Sequence, residues 1–408
     1  MQEWAQELSS LRFLSVSNAF ESVLSDVIAV VKRGHPLECL EILYPMLVDA
    51  ELASFVRHLK ETGKVGNLSS LLLRGAPLGV NTLSVLGQLI GECRETLNSL
   101  RIDSCEEASD NDISRLMKST RVLHYNLSDL TLSHGLCGSQ FVDSLAQAAN
   151  ELTISNRFPF SLDMRGSIVS RSGCAGLSIV MQSLFPLVHL NLDDNPIHND
   201  GAMQIANGLL SPLCQLQSLS LRNCGIKCTG GTLIVSALAQ NKSLTRLDLS
   251  HNVLNHDHSH SFGISCGEAL AINSTLLDLD LSHTLLYALP EALTAGLEVN
   301  KTLKSLQVNG NRLQSIGVLT ISQILAANDA LESLGLSGNL ISDEDLSILS
   351  LSLINRASRL SKPLQRLDIR SNAFLRDSPF IYDLQLVTNS LLYRTSQDSF
   401  ICDGLQEI

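Results

Sequence analysis

The segment 263-GISCG-267 matches the G-x-S-x-G pattern that, on a strand-to-helix elbow, presents a nucleophilic serine, here Ser265. That chemistry needs a strand before the turn and an acid and a base within reach. Neither is supplied, because the segment opens a helical apolar pattern and no strand precedes it. The run 251-HNVLNHDHSH-260 gathers His251, His256, His258 and His260 around Asp257, and neutral imidazoles on an extended loop could ligate a transition metal. No cysteine or second histidine pair closes the set, so a solvated loop is expected and no metal site. Cys224 and Cys228 have the spacing of a metal knuckle or redox pair, but Cys224 also fills a recurring frame position that gives it a structural task. The chain contains no G-x-x-x-x-G-K-[ST] loop, no G-x-G-x-x-G after a strand and no H-E-x-x-H helix. A non-enzymatic protein without a cofactor is the expectation.

What must position any functional group is a repeat. Frames with Leu, Ile or Val at positions one, four, six and eleven and Asn or Cys at nine begin at Leu37, Leu68, Leu97, Leu127, Pro159, Leu187, Leu216, Leu244, Leu276, Leu303, Leu331 and Leu364. A weaker frame starts at Leu11. The clearest copies are 216-LQSLSLRNCGI-226, 244-LTRLDLSHNVL-254, 303-LKSLQVNGNRL-313 and 331-LESLGLSGNLI-341. Inside each, the L-x-L step has the period of two that sends alternate side chains to one face of a short strand. One frame has nothing to bury those leucines against, so neighbours must stack. Position nine, with Asn195, Asn252, Asn311, Asn339 and Asn372 or with Cys105 and Cys224, should serve backbone groups in the turn leaving the strand. Amphipathic stretches follow, such as 201-GAMQIANGLL-210 and 343-DEDLSILSLSLIN-355, with Asn199, Thr229 and Ser342 as expected N-caps. The expectation is an α/β solenoid: a curved horseshoe with a parallel inner sheet and outer helices. Residues 1–36 would form an N-terminal cap holding the degenerate frame, with Phe20, Val23, Leu24, Val27 and Val31 on one helical face. Residues 37–374 would hold about twelve repeats. Residues 375–408 would close the other end, with Phe380, Leu384, Val387 and Leu391 at helical spacing.

Outward side chains of such strands share one concave surface where a partner would sit. Position five includes Arg101, Thr131, Asp163, Asp248, Asp280 and Asp368, while positions seven and eight add Asp193, Asp194, His134, His251, His283, Arg165, Arg222 and Arg370. Interspersed charge suits a polar protein surface. Arg222, Asp248, Asp280 and Arg370, in the most regular repeats, together with Asp193 and His251, are the expected partner-binding residues.

Composition sets the bounds. A formal charge of −12 opposes nucleic-acid binding, which needs a positive footprint, and 4% aromatic residues leave few stacking platforms. The N-terminal MQEWAQELSS is not a secretory signal, and no run of 18 apolar residues spans a membrane. Ten cysteines without an export signal read as free thiols in a reducing compartment, the cytoplasm or the nucleus. Five N-x-S/T triplets, at Asn67, Asn126, Asn241, Asn273 and Asn300, then carry no glycan.

The LxxLxLxxNxL frame leading into helices such as 201-GAMQIANGL-209 and 268-EALAIN-273 is the leucine-rich repeat signature. It resembles the ribonuclease-inhibitor-like class, which includes nuclease inhibitors, sensor domains of innate-immunity receptors, activators of the Ran GTPase and the repeat domain of CARMIL-type actin regulators. The resemblance implies a protein-interaction scaffold. Two stretches, 162-LDMRGSIVSRSGCAGLSIVMQSL-184 with 187-LVHLNLDDNPI-197, and 212-PLCQLQSLSLRNCGIK-227 with 237-ALAQNKSLTRLDLSHN-252, are similar to the CARMIL type and would imply a role in actin organisation. A Ran-type activator would instead place an arginine from an early repeat on a bound nucleotide, and Arg74 and Arg101 stand in early repeats.

Overall fold

The computed structural model describes residues 12–393 apart from 106, 136, 152–158, 256–259, 288, 361–363 and 376. Two compact parts divide the chain, Met1–Leu219 and Ser220–Ile408.

In the first part, strands β1 (Phe13–Ser17), β2 (Cys39–Leu43), β3 (Ser70–Arg74), β4 (Ser99–Asp103), β5 (Asp129–Ser133), β6 (Phe160–Asp163) and β7 (Leu187–Asn191) alternate with helices. Those helices are α1 (Glu21–Arg33), α2 (Asp49–Glu61), α3 (Val80–Cys93), α4 (Asp110–Thr120), α5 (Ser139–Glu151), α6 (Arg171–Met181) and α7 (His198–Leu209). The strands pair in parallel and in chain order, and their register is the sequence frame itself: Leu40, Leu71, Leu100, Leu130 and Leu162, all at position four, face one another. These leucines are buried to 1% exposure or less, so each contributes about 1.5–3 kcal/mol. One irregularity interrupts the register, between Phe160 and Ser161. There Phe160 and Val188, which the frame assigns to the outward position two, turn into the core, and Phe160 meets Phe185 edge-on at 5.0 Å.

Strand β8 (Ser218–Ser220) spans the division. The second part holds β9 (Arg246–Asp248), β10 (Asp278–Asp280), β11 (Ser305–Gln307), β12 (Ser333–Gly335), β13 (Arg366–Asp368) and β14 (Leu391–Leu392). Its helices are α8 (Cys228–Ala237), α9 (Ser261–Ile272), α10 (Glu291–Val299), α11 (Gln314–Ala327), α12 (Asp343–Leu360) and α13 (Pro379–Val387). Strands β9 to β14 are again parallel and in chain order, with Leu247, Leu279, Leu306, Leu334 and Leu367 in register.

Two asparagine ladders supply the polar interior. Asn252 donates to Leu221 O (2.7 Å) and Leu249 O (2.9 Å) and accepts from Cys224 N and Ile226 N. Asn311, Asn339 and Asn372 repeat this pattern, each serving the preceding repeat. The second ladder lies where helices end: Asn273 donates to Leu238 O, Asn300 to Leu270 O and Asn328 to Leu297 O, each at 2.7 Å. In the next repeat the buried Arg356 takes over, donating to Asn328 O and Leu331 O. Helix starts are secured sideways as well. Asp49 accepts from Asn81 N and Thr82 N at the head of α3, and Asp110 from Gln140 N and Phe141 N at the head of α5.

Several expectations need correction. Ser342 caps α12 in reciprocal bonds with Asp345, but Asn199 and Thr229 lie inside the first turns of α7 and α8, which start earlier and have no side-chain cap. Phe20 stands at the N-cap of α1 with 57% exposure, while Leu24 and Val31 are buried. Leu391 belongs to a strand instead of extending α13, where Leu384 and Val387 are buried. Residues 12–36 and 377–393 thus each contain strand as well as helix. No helix among the described residues is long and apolar enough to cross a membrane.

Candidate functional site

At the exits of β1 to β13, position eight has a left-handed backbone: Asn18, Tyr44, Gly75, Ser104, His134, Gly166, Asp194, Asn223, His251, His283, Gly310, Gly338 and Ser371 all have φ between 45° and 65°. Such φ values favour Gly, Asn, Asp and His, so conformation alone accounts for much of this column's polarity. Rings there lie over the next repeat's glycine. A Cβ added to Gly75 would fall 2.3 Å from the Tyr44 ring, and one on Gly310 would fall 2.2 Å from His283. The His251 and His283 rings themselves stack at 4.3 Å.

The six expected binding residues fall in separate places. Asp248 and Asp280 are register neighbours on β9 and β10, and the exposed Arg222 is near enough to bias Asp280. Burial raises the Asp280 pKa; the bonds from Ser282 offset part of this and Asp248 adds to it, with Arg222 opposing. Arg370 is three strands beyond Asp280 in the same part, about 14 Å at normal strand spacing, and forms a two-pronged ion pair with Asp368 of its own repeat (2.9 and 2.6 Å). Asp193 belongs to the first part. There its charge, after the bond that Arg165 donates to Asp163, helps raise the pKa of Arg165. His251 is half-buried beneath its stack with His283.

Frame positions taken one column at a time did not reveal a cluster of ion pairs on the strand side of β3 to β6. Arg74 Nε donates to Asp103 Oδ2 (2.7 Å), Arg101 Nε and Nη2 to Asp129 Oδ2 (2.9 and 2.6 Å), and Arg165 to Asp163. Asp103 also accepts from Ser133 Oγ (2.6 Å) and from His134 Nδ1 (2.7 Å), which must carry the proton because an ionised carboxylate only accepts. Burial works against ionising Asp103, but the donors Ser133, His134, Arg74 and Ser104 prevail and hold its pKa at about 2. These groups line a concavity of about 370 Å³. A signal existed in the sequence: Arg74 and Asp103 both hold position seven of adjoining frames and pair directly in register.

The chemical motifs resolve into structure. Ser265 lies within α9, and the glycines of GISCG serve helix contact: a Cβ on Gly263 would meet Pro290 at 2.4 Å and one on Gly267 would meet Ala292 O at 2.0 Å. Residues 256–259 of the histidine run lie outside the described residues. Cys224 donates to Arg222 O, and Cys228 lies 3.0 Å from Ser261 Oγ.

A family model described as "Leucine Rich repeat" matches residues 183–206, 240–255 and 299–322. NACHT, LRR and PYD domains-containing protein 14 of Mus musculus is 32% identical over 190 residues, covering 46% of this chain and 18% of that protein. Protein 5 of the same series in Mus musculus is 26% identical over 391 residues, covering 92% of this chain and 32% of that one. The ribonuclease inhibitor of Sus scrofa is 25% identical over 309 residues, covering 75% of this chain and 59% of the inhibitor. The chain therefore spans from 18% to 59% of these relatives' lengths. The chain carries leucine-rich repeats and folds as an α/β solenoid, and its sequence is similar to that of the ribonuclease inhibitor.

Proposed function

We propose that this chain is a non-catalytic protein-binding scaffold whose partner seats on the strand side of the repeats. The observation that carries this reading is the ion-paired array across β3 to β6, where polar groups on consecutive strands are held in fixed orientations at an open surface. Pre-ordered side chains lower the entropy cost of association, which is what a recognition surface requires. The two arginines that a Ran-type reading would use, Arg74 and Arg101, are each tied to a carboxylate, and this supports binding over supply of an arginine in trans. An intracellular setting, cytoplasmic or nuclear, is supported by eight buried free thiols among the described residues and by the burial of Asn241, Asn273 and Asn300, whose amides the ladders use.

The test is affinity capture and cross-linking with the full chain carrying Arg101→Glu, or Asp248→Lys with Arg222→Glu, beside Glu268→Lys on the exposed face of α9. A partner lost to at least one strand-side reversal and kept by the helix-side change supports the reading. Retention through both strand-side reversals, or loss to Glu268→Lys alone, refutes it.

A further inference from the structure

Within the array of the first part, the two signs of charge lie at different depths. The side chains of Arg74, Arg101 and Arg165 are 45%, 54% and 50% exposed, while their partners Asp103, Asp129 and Asp163 are 13%, 27% and 17% exposed. The carboxylates form a floor and the guanidiniums a layer above it. Each arginine spends its inner edge on that floor. Arg74 is bound through Nε alone, and Arg101 and Arg165 through Nε and Nη2, so both Nη groups of Arg74 and the Nη1 groups of the other two make no hydrogen bond among the described residues. The acids thus act as struts, fixing the planes of three donors that face the concavity.

From this layering we infer that the cavity between β3 and β6 binds a carboxylate-rich segment of a protein partner, with Arg74, Arg101 and Arg165 as the groups that grip it. The inference rests on the strand side being the partner face, and it names the chemistry recognised there. Charge-assisted bonds from guanidinium to carboxylate are short and about twice as strong as neutral ones, and an arginine already held in orientation loses little rotamer entropy on forming them. An incoming carboxylate meets the cationic layer at contact distance and the anionic floor only beyond it, and Coulomb energy falls with separation. The same floor disfavours a dense polyanion. Three half-neutralised arginines on a chain of net charge −12 cannot offset the repulsion of consecutive phosphates, whereas spaced single-charge carboxylates fit the pattern.

The experiment titrates the full chain with a fluorescent glutamate-rich peptide at low ionic strength, and in parallel with inorganic phosphate and a single-stranded RNA oligomer. Saturable peptide binding is expected, weakening with salt as an exposed electrostatic contact must. It should fall by at least about tenfold in Arg74→Gln and again in Arg101→Gln, the fold-change of losing one charge-assisted bond. It should stay unchanged in Arg312→Gln, an exposed arginine of the second part. Asp103→Asn tests the strut: all three cations remain, so a drop in affinity marks lost orientation and unchanged affinity refutes the layering. Circular dichroism melts establish that each variant is folded, and Arg101→Lys, which keeps the charge and loses the fork, should bind at an intermediate level. Absence of peptide binding at low salt, indifference to Arg74→Gln and Arg101→Gln, or tighter binding of RNA or phosphate with the same dependence overturns the inference. If capture of a partner fails under strand-side reversal while the peptide does not bind, the inference alone falls. If the peptide binds the arginines but the captured partner ignores both reversals, the strand-side reading falls.

Discussion

Replacing Asn311 with alanine tests the load on the position-nine ladder. Asn311 is fully buried; its Nδ2 donates to Leu281 O (2.7 Å) and Val308 O (3.0 Å), and its Oδ1 accepts from Thr284 N (2.8 Å) and Leu286 N (3.2 Å). Alanine removes these four bonds; Leu281 O keeps the Thr284 hydroxyl and Val308 O keeps Asn339 Nδ2, while Thr284 N and Leu286 N lose their acceptor, and at about 1 kcal/mol for each net bond the loss is at most about 4 kcal/mol. Water entering the gap would return part of this, so the expected range is about 2–4 kcal/mol. Cysteine is a graded comparison, because the native Cys224 and Cys105 at the same frame position donate to carbonyls through sulfur. Asn311→Cys should therefore cost clearly less than Asn311→Ala. Urea unfolding followed by far-ultraviolet circular dichroism, with amide exchange on residues 281–286 to localise the loss, measures both. A cost below about 1 kcal/mol for alanine, or equal costs for the two variants, would refute the idea that the ladder's hydrogen bonds, and not mere volume, hold the turn.

Three other outcomes follow from particular contacts. Gly296→Ala should destabilise the helix pair α9 and α10 by about 1–3 kcal/mol or more, since the new methyl would lie 2.1 Å from Gly267 O, whereas Gly91→Ala in α3, with open space around it, should stabilise by about 0.8–1 kcal/mol; thermal melts giving the same sign for both would be incompatible with these contacts. Burial, reinforced by Asp248, raises the folded pKa of Asp280, so its ionisation penalises the folded state increasingly as pH rises through that pKa. Asp280→Asn keeps an acceptor for Ser282 N and should raise Tm at neutral pH, with the gain vanishing in acid below the unfolded carboxylate value of about 3.9; no gain at neutral pH would contradict the shift. Asp103 is the opposite case: its depressed pKa gives stability that is fully present above about pH 4 and is lost as pH falls toward about 2. Urea midpoints for the native chain should show that acid limb, and Asp103→Asn should flatten it.

The repeat and its register were legible because leucine at positions four and six leaves a strand no other way to bury them, and the observed pairing of Leu247 with Leu279 and Leu306 follows the frame residue for residue. The acid–base floor beneath the arginines was much less so. Arg74 and Asp103 stand in neighbouring frames, but which of them lies deeper depends on side-chain packing across strands, and a column of letters does not encode depth. Phe160 escaped for a related reason: a register shift of one residue exchanges the faces of a strand, and the shift beside it rotates an outward position inward. The left-handed turn at position eight was hidden because His251, His283 and Asp194 satisfy a backbone demand with side chains that also look like ligands.

The position-nine asparagine ladder points one way along the chain. Asn252 supplies the turn of the frame before it and Asn339 that of Leu303, whereas Asn328 of the helix-end ladder reaches back to the end of α10 and also accepts from Ala330 N and Leu331 N at the entry to the next frame. Dependence therefore has a direction. Stripping coils from the C-terminal side removes the amides that serve the turn of the coil left at the edge, whereas stripping them from the N-terminal side leaves those turns served and uncovers strand N–H groups such as Leu277 N and Lys304 N. Shortened versions of this protein should tolerate loss at their front far better than loss at their back, and fraying under denaturant should advance from the trailing end forward.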